Sequence, residues 1–461
     1  MGVSAMGARA LRPTRRSGRR ARALAGAIAL LASGWPLASL GQSAAAPPRD
    51  AVATHGPASP HGGAATLGAD LPRLLEYARS SSPELAAMRL DAAAAGERVE
   101  PAGALPDPRL RTELRDMTNG GTTPISVWPA RVGSTKYLLM QEVPWFGKRD
   151  LKRGVAQAEY EAARHRSQES WATIAARIKT VFAQLYFVVE NARLSRELMD
   201  LSAQLEAIVQ SRYAGGLSVQ QDVIRAQVER TNLRSELAML EAERHHLGAR
   251  MNSLLGRSAG SALAEPERLV ELPAAATLEQ AALMARLKES NPALLAEGAK
   301  LQAAERNREL VLRNRYPDFT VGFGPIQYGA EFKDWELMIE LNIPFRTDTR
   351  AAQERESQAM LDAAARRREA AALQLGGELS ENLVAIESAR RIESLAADSL
   401  LPQAELMFRS ALAGYETGKV DFATVLDAQR QIRQARLSRL KAQVDARVRL
   451  AEVERLLGVD Q

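Results

Sequence analysis

Residues 213–227 read YAGGLSVQQDVIRAQ, and residues 415–429 read YETGKVDFATVLDAQ. The two segments share a tyrosine, a glycine three residues later, a valine and an Ala-Gln pair, all displaced by 202 positions without a gap. The triplet Leu-Leu-Gly at 254–256 recurs at 456–458 with the same displacement. Matches that keep both their order and one offset predict an internal duplication of a unit of about 200 residues.

Earlier parts of the two halves also correspond. The matched pairs are Ser82-Pro83 with Asn291-Pro292, Pro106-Asp107 with Pro317-Asp318, and Val143-Pro144-Trp145 with Ile343-Pro344-Phe345. Each half is predicted to contain an opening helix, two short strands, a very long helix, a glycine-containing tip and a return helix. The expected bounds are 70–256 for the first repeat, 257–276 for a proline-bearing linker and 277–461 for the second repeat, with opening helices over 71–100 and 278–315 and tips near 213–222 and 415–427.

The long helices give the clearest local signal. Apolar residues from Trp171 to Ile208 recur every three or four positions, and the return helix repeats this pattern from Leu233 to Leu254. Such spacing is typical of a coiled-coil seam or of the core stripe of an amphipathic helix. No proline interrupts residues 149–213, which at about 1.5 Å per residue gives a helix on the order of 100 Å long. The chain is therefore predicted to be mainly α, with long coiled-coil helices. If several chains assemble around their strands, these helices would continue as an α-helical barrel.

Four short segments are predicted to be strands: three alternate between apolar and polar residues, and the second is apolar on both sides. They lie near 108–116, 134–143, 318–328 and 334–344, and each approaches the roughly 9–11 residues that a membrane β-strand needs. Alternation also fits an ordinary half-buried sheet, but open sheet edges are not tolerated in lipid, and four strands are too few to close a channel. Three chains with four strands each would close a twelve-stranded transmembrane β-barrel. The strands therefore predict a homotrimer whose barrel is in contact with membrane lipid.

The first 46 residues have the layout of a secretory signal peptide, with a basic segment, a short apolar run and a stretch of small residues. Residues 47–69 are rich in Pro, Gly and Ala and are expected to form a flexible linker. The whole chain has a formal charge of +6, but residues 1–46 contain seven arginines and no acid, so their removal leaves −1. The basic character belongs to the leader, and no nucleic-acid partner is expected.

Enzymatic signatures are missing from the sequence. It contains no cysteine, no phosphate-binding P-loop and no H-E-x-x-H pair. Its adjacent His245 and His246 would point about 100° apart on a helix, which makes a poor chelate. We therefore expect no enzyme activity, no cofactor and no metal site.

The tip motifs, the turn Gln141–Lys148 (QEVPWFGK) and the Asn291-Pro292 helix start together resemble the TolC family of outer-membrane efflux channels over residues 70–458. The resemblance implies a trimeric exit duct with a helical tunnel across the periplasm and a barrel in the outer membrane of a Gram-negative cell. It also implies two partners: a periplasmic adaptor protein and an inner-membrane pump, of the RND type. The VPWFGK turn looks most like the branch that exports heavy-metal cations.

The resemblance also marks candidate gate residues at the periplasmic tip. The matching positions are Asp222, Tyr415, Val420, Thr424 and Asp427, while Gly216 and Gly418 are the expected tip turns and adaptor-docking points. Val420 and Thr424 stand where the best-known members carry an arginine and an aspartate, so the family's Tyr/Asp–Arg lock does not carry over intact. Asp427 could instead line the pore or pair with Arg430.

Two other classes of protein fit parts of the pattern. A periplasmic coiled-coil adaptor or scaffold protein of an export system would also have long helical hairpins, but it would add other domains and lack the full-length duplication. A substrate-specific porin would need many more strands in each chain. The exit duct accounts for the helices, the strands and the repeat together.

Overall fold

The computed structural model describes residues 67–122 and 124–458. The expected signal peptide, 1–46, and residues 47–66 of the expected linker lie outside the described residues. The elements of the first half are α1 (Leu71–Ser81), α2 (Pro83–Glu97), α3 (Val99–Gly103), β1 (Arg109–Arg115), β2 (Ser134–Val143), α4 (Lys148–Ala214) and α5 (Gln220–Leu254). Those of the second half are α6 (Gln280–Ser290), α7 (Pro292–Arg313), β3 (Asp318–Tyr328), β4 (Glu331–Asn342), α8 (Thr347–Leu395), a π turn (Ala396–Leu400), α9 (Leu401–Glu416) and α10 (Phe422–Leu457). The prediction of a mainly helical chain with a small β part is confirmed.

The expectation of one continuous opening helix in each half was wrong. The first breaks at Ser82 and the second at Asn291, because each residue precedes a proline and takes an extended conformation. Both residues then cap the next helix: the Ser82 hydroxyl accepts from the Leu85 N–H at 3.5 Å, and the Asn291 side chain accepts from the Leu294 N–H at 2.8 Å. The proline occupies the first helical turn, where no backbone donor is needed.

The long helices carry the core of the fold. Helix α4 runs unbroken for 67 residues and packs against α5, α7 and α10. Ile178 and Val181 of α4 are fully buried in a cluster with α1 and α5, and Leu379 of α8 is fully buried in a matching cluster with α6 and α10. Among the described helices, only α4 contains a stretch long and apolar enough to cross a membrane, and 50% of that stretch is buried inside the fold, as is usual for a core helix.

The four strands form one antiparallel sheet in the order β1-β2-β3-β4. Its central pair, β2 and β3, joins the two halves of the chain, with Val143 opposite Phe319 and Leu139 opposite Phe323. Strands β1 and β4 lie at the edges, where the described part of the chain offers them no further strand. The sheet therefore ends in two open edges within a single chain.

One face of this sheet is apolar and exposed. The register places these exposed side chains on the same face: Leu110, Leu139, Val321, Phe323, Trp335, Leu337, Ile339 and Leu341. The opposite face carries charges, including the ion pair between Lys136 and Glu336 and the carboxylates of Glu142 and Glu340. An apolar exposed face this extensive marks a surface that something apolar covers in the assembled protein.

The last residues of the expected flexible linker are packed against the fold. The Leu67 carbonyl accepts from the Ala264 N–H at 2.9 Å, and the Ala69 carbonyl accepts from the Glu267 N–H at 3.4 Å. Gly68 is buried with φ 132°, and a Cβ there would lie 2.4 Å from the Ala264 carbonyl oxygen. Residues 67–69 therefore pair with the segment between the halves, which corrects the linker prediction at this end.

Candidate functional site

The two glycine turns sit side by side at one end of the helical bundle. At the first, Gly216 has φ 72° and the Leu217 N–H donates to the Arg212 carbonyl at 2.8 Å. At the second, Gly418 has φ 70° and the Lys419 N–H donates to the Gly414 carbonyl at 2.8 Å. This pattern ends a helix with a left-handed residue, a conformation that glycine adopts without strain. Both glycines face open space, with no protein atom within 4 Å of where a Cβ would be.

A small hydrophobic cluster, here called the tip core, lies behind the two turns. Phe422 is fully buried, and its ring centroid lies 5.4 Å from that of Tyr415. Val209 of α4 and Val425 of α10 are also fully buried in this cluster. Side chains from both hairpins, α4–α5 and α9–α10, therefore share one core, which fixes the position of each turn relative to the other.

Tyr415 is the centre of polar contacts between the hairpins. The Arg212 guanidinium lies 4.9 Å from the centre of the Tyr415 ring, and Arg212 also donates to the Glu416 carbonyl at 2.9 Å. The Tyr415 hydroxyl lies 3.3 Å from the Ser218 hydroxyl, which donates to Asp222 at 2.9 Å. A cation over an aromatic ring attracts it electrostatically, so Arg212 binds the second hairpin to the first.

Asp222 and Asp427 occupy different environments. Only 13% of the Asp222 side chain is exposed, whereas 72% of the Asp427 side chain is exposed. Asp427 lies 3.6 Å from Arg430, but Arg430 has a closer partner in the carboxylate of Glu229, at 2.7 Å. The hydrogen bond with Glu229 raises the pKa of Arg430 above its ordinary value. Asp427 is therefore a weakly paired acid on the surface.

Val420 and Thr424 make contacts within their own turn. Val420 packs on the tip core and lies so close to Gly414 that a Cβ there would be 2.9 Å from its Cγ2 atom. Thr424 donates to Asp421 through its hydroxyl at 2.5 Å and its backbone N–H at 3.0 Å. These hydrogen bonds, the hydroxyl first, lower the pKa of the Asp421 carboxyl below its ordinary value. Asp421 thus serves as the N-cap of α10.

Ion pairs continue the joint between hairpins away from the tip. Arg433 pairs with Glu236, and Arg436 pairs with Glu197 at 3.3 Å. The buried carboxylate of Glu229 and the cation of Arg212 have no signal in the sequence, because their partners lie about 200 residues away. Among the described residues, no group of three or more His, Asp or Glu side chains could hold a metal ion.

Comparison with known proteins gives one consistent result. Residues 283–459 match the sequence profile of the family described as outer membrane efflux protein. The cobalt-zinc-cadmium resistance protein CzcC of Cupriavidus metallidurans is 25% identical over 383 residues, which are 81% of this chain and 85% of CzcC. The solved outer-membrane channel OprN superposes with a TM-score of 0.74 at 18% identity, over 84% of this chain and 89% of OprN. The outer membrane protein VceC of Vibrio cholerae gives 0.73 at 17% identity, over 84% and 96%.

Proposed function

We propose that this chain is an outer membrane efflux protein of the TolC type. Three copies of it would then form the exit duct of a tripartite efflux system. The observation that carries the proposal is the sheet, with one exposed apolar face and two open edges. Strand β4 of one copy would pair with β1 of the next and close a twelve-stranded barrel whose apolar face meets outer-membrane lipid. The helices would then extend into the periplasm as a tunnel.

An internal duplication is supported by the buried positions of the two long helices. The buried residues of α8, from Ser357 to Ala389, and Ala396 at the start of the π turn each lie 201 positions after a buried residue of α4. Beyond the π turn the offset becomes 202, as for Ala404 with Ser202 and Ala411 with Val209. A π turn adds one residue to a helix without ending it. The extra residue of the second half therefore lies at Ala396–Leu400.

The partners that we propose are a periplasmic adaptor and an inner-membrane pump of the RND type. Gly216 and Gly418 form the exposed ends of the hairpins, where an adaptor's helices could dock in the grooves beside them. The relative CzcC is named for resistance to cobalt, zinc and cadmium. We therefore propose divalent heavy-metal cations as the cargo, and the duct itself needs no resident metal site or catalytic group to pass them.

The proposed location and assembly are tested by fractionation. The mature protein should be recovered from the outer membrane as a detergent-soluble trimer that migrates as a trimer on a gel without heating and as a monomer after boiling. An adaptor or scaffold protein would instead be found in the periplasm or at the inner membrane, and a soluble periplasmic monomer would overturn the proposal.

At the gate, we propose that Arg212 takes the place of the missing family arginine. Its cation holds Tyr415 and the Glu416 carbonyl from the neighbouring hairpin of the same chain. Replacement by alanine (Arg212→Ala) should loosen this joint and raise single-channel conductance several-fold in planar bilayers. Arg409→Ala is the matched control, because Arg409 is exposed and, within the described part of the chain, donates to the Glu405 carbonyl one turn earlier on α9. Equal conductance in the two variants would remove Arg212 from the gate.

Asp427 is the acid that we propose for the pore. Three exposed copies of it would form a ring, and rings of carboxylates favour cations. We expect Asp427→Ala to leave the trimer intact and to lower cation-over-anion selectivity in bilayers with a salt gradient. An unchanged reversal potential would show that Asp427 lies outside the pore.

A further inference from the structure

A cavity of about 180 Å³ lies where the first half of the chain meets the second. It is lined by helices α1, α4 and α10 and by the segment between the halves. Its inner wall is apolar and buried, and is formed by Leu71, Phe182, Ala183, Leu450 and Ala451. Its mouth lies beside Val270, which is 48% exposed. One chain forms all of this lining, so the cavity does not depend on the proposed trimer.

Three charged side chains also line the cavity: Lys179 of α4, and Arg447 and Glu454 of α10. Lys179 and Glu454 form an ion pair, with the Lys179 Nζ atom 2.5 Å from the carboxylate. Arg447 forms no ion pair with any described residue, and its guanidinium donates to the carbonyls of Val270 at 3.2 Å and Gln443 at 2.9 Å. Two cations and one carboxylate leave the cavity with a net positive charge, which Arg447 carries.

The surroundings of Arg447 favour an anion beside it. Burial lowers the pKa of Arg447 below its ordinary value, and the charge of Glu393 acts in the opposite direction. Glu393 is not an ion-pair partner of Arg447, and it accepts instead from the Gln443 side chain at 2.6 Å. A partly buried cation without a counter-ion is costly, and its hydrogen bonds to a carboxylate are stronger than bonds between neutral groups. The guanidinium has more N–H donors than its two bonds to carbonyls use.

The proposed duplication does not account for these three charges. With the offset of 201 for α4 and 202 for α10, the equivalent positions in the other half are Ser380, His245 and Asn252. This second set contains no lysine, arginine or acid. A charge that the common scaffold required would be expected in both halves, so the three charges belong to this cavity and not to the repeated fold.

The size and chemistry of the cavity define its ligand. An apolar cavity of about 150 Å³ engineered in another protein binds benzene, so this cavity has room for one ring or a branched chain of similar size. We propose that it binds a small monocarboxylic acid, whose apolar part packs on Phe182 and Leu450 and whose carboxylate accepts from Arg447. The site goes beyond the proposed function, because the duct passes cations whereas this cavity takes an organic anion. A bound acid would contact both α4 and α10 and so hold the two halves together.

Benzoate is the probe that tests this site in the purified full-length protein in detergent. A calorimetric titration should saturate with a Kd on the order of 1 mM, as is usual for a ligand of this size, and detergent without protein should give no saturation. Benzamide has a similar shape without the charge. Its Kd should be about tenfold higher, because a hydrogen bond between two charged groups is the stronger one.

Variants separate the charge from the cavity. Arg447→Gln should raise the Kd of benzoate about tenfold, whereas Arg439→Gln, an exposed position two turns earlier on α10, should bind benzoate as the wild type does. Val270→Phe keeps Arg447 and fills the cavity from its mouth, so it should bind neither benzoate nor benzamide. Circular dichroism checks that each variant is folded.

Two results would overturn the site: no saturable binding of benzoate by the wild type, or equal affinities for benzoate in the wild type, Arg447→Gln and Val270→Phe. Either result would leave the proposed duct standing, because fractionation and conductance test that proposal separately. A folded wild type that binds benzoate but is a soluble periplasmic monomer would confirm the site and overturn the duct.

Discussion

Replacement of Gly324 by alanine is expected to abolish the folded, heat-stable trimer. A Cβ at Gly324 would lie 1.7 Å from the carbonyl oxygen of Tyr137 and 2.8 Å from its carbonyl carbon. These are backbone atoms of β2, so the conflict cannot be relieved by a side-chain rotation. The strands would have to separate by more than an ångström at the β2–β3 pairing, which joins the two halves of the chain. Overpacking in a well-packed region typically costs about 1–3 kcal/mol, and a backbone clash of this depth lies above that range.

Gly322→Ala on the same strand is the matched control. A Cβ at Gly322 would lie 3.2 Å from the Cγ atom of Met140 and 3.2 Å from the Cε atom of Met338, which belong to flexible side chains. The trimer of this variant should persist on an unheated gel, while that of Gly324→Ala should be replaced by monomer or degraded chain. Equal amounts of heat-stable trimer in the two variants would contradict the strand register described here.

The second large effect is expected at the tip core. Phe422 is fully buried between the hairpins, beside Tyr415 and Val425. Truncation of a buried phenylalanine to alanine typically costs about 3–5 kcal/mol, from lost burial and from the cavity that remains. Because the tip core is separate from the clusters near the middle of the bundle, Phe422→Ala should loosen the tip and leave those clusters intact.

Amide hydrogen exchange measures this effect locally. Exchange should become on the order of 100-fold faster in segments 205–213 and 411–428, the equivalent of about 3 kcal/mol, and should stay unchanged in α1 and in the strands. Tyr213→Ala is the control, since Tyr213 is the counterpart of Tyr415 in the first tip but is 47% exposed. If the two variants exchange alike, the tip core does not hold the hairpins together.

The sequence alone was sufficient to predict the helices and strands whose apolar residues recur at a regular spacing. Helix α4 and the strand β4 repeat apolar residues at helical or alternating spacing over about ten residues or more, so their existence could be predicted from local patterns. The breaks at Ser82 and Asn291 were missed although Pro83 and Pro292 signalled them. A proline at the first turn of a new helix and a proline that ends an old one give the same local pattern.

Contacts between distant segments could not be predicted in the same way. Arg212 and Tyr415 are about 200 positions apart, and neither differs from an ordinary surface or core residue when its own helix is considered alone. The π turn at Ala396–Leu400 could not be predicted from its own residues. The sequence shows it only as a change in the number of positions that separate equivalent residues of the two halves. The absence of the family's arginine at Val420 was visible in the sequence, but the proposal that Arg212 takes its place depends on how the two hairpins pack.

The measurement that tests the central claim most directly is the conductance of the purified trimer in planar lipid bilayers. If three chains close one continuous duct, the trimer should insert as a unit and give discrete conductance steps. These steps should grow in the Arg212→Ala variant. A trimer that inserts into the bilayer, as judged by its co-flotation with the lipid, but gives no steps in either form would contradict the account of this protein as an exit duct.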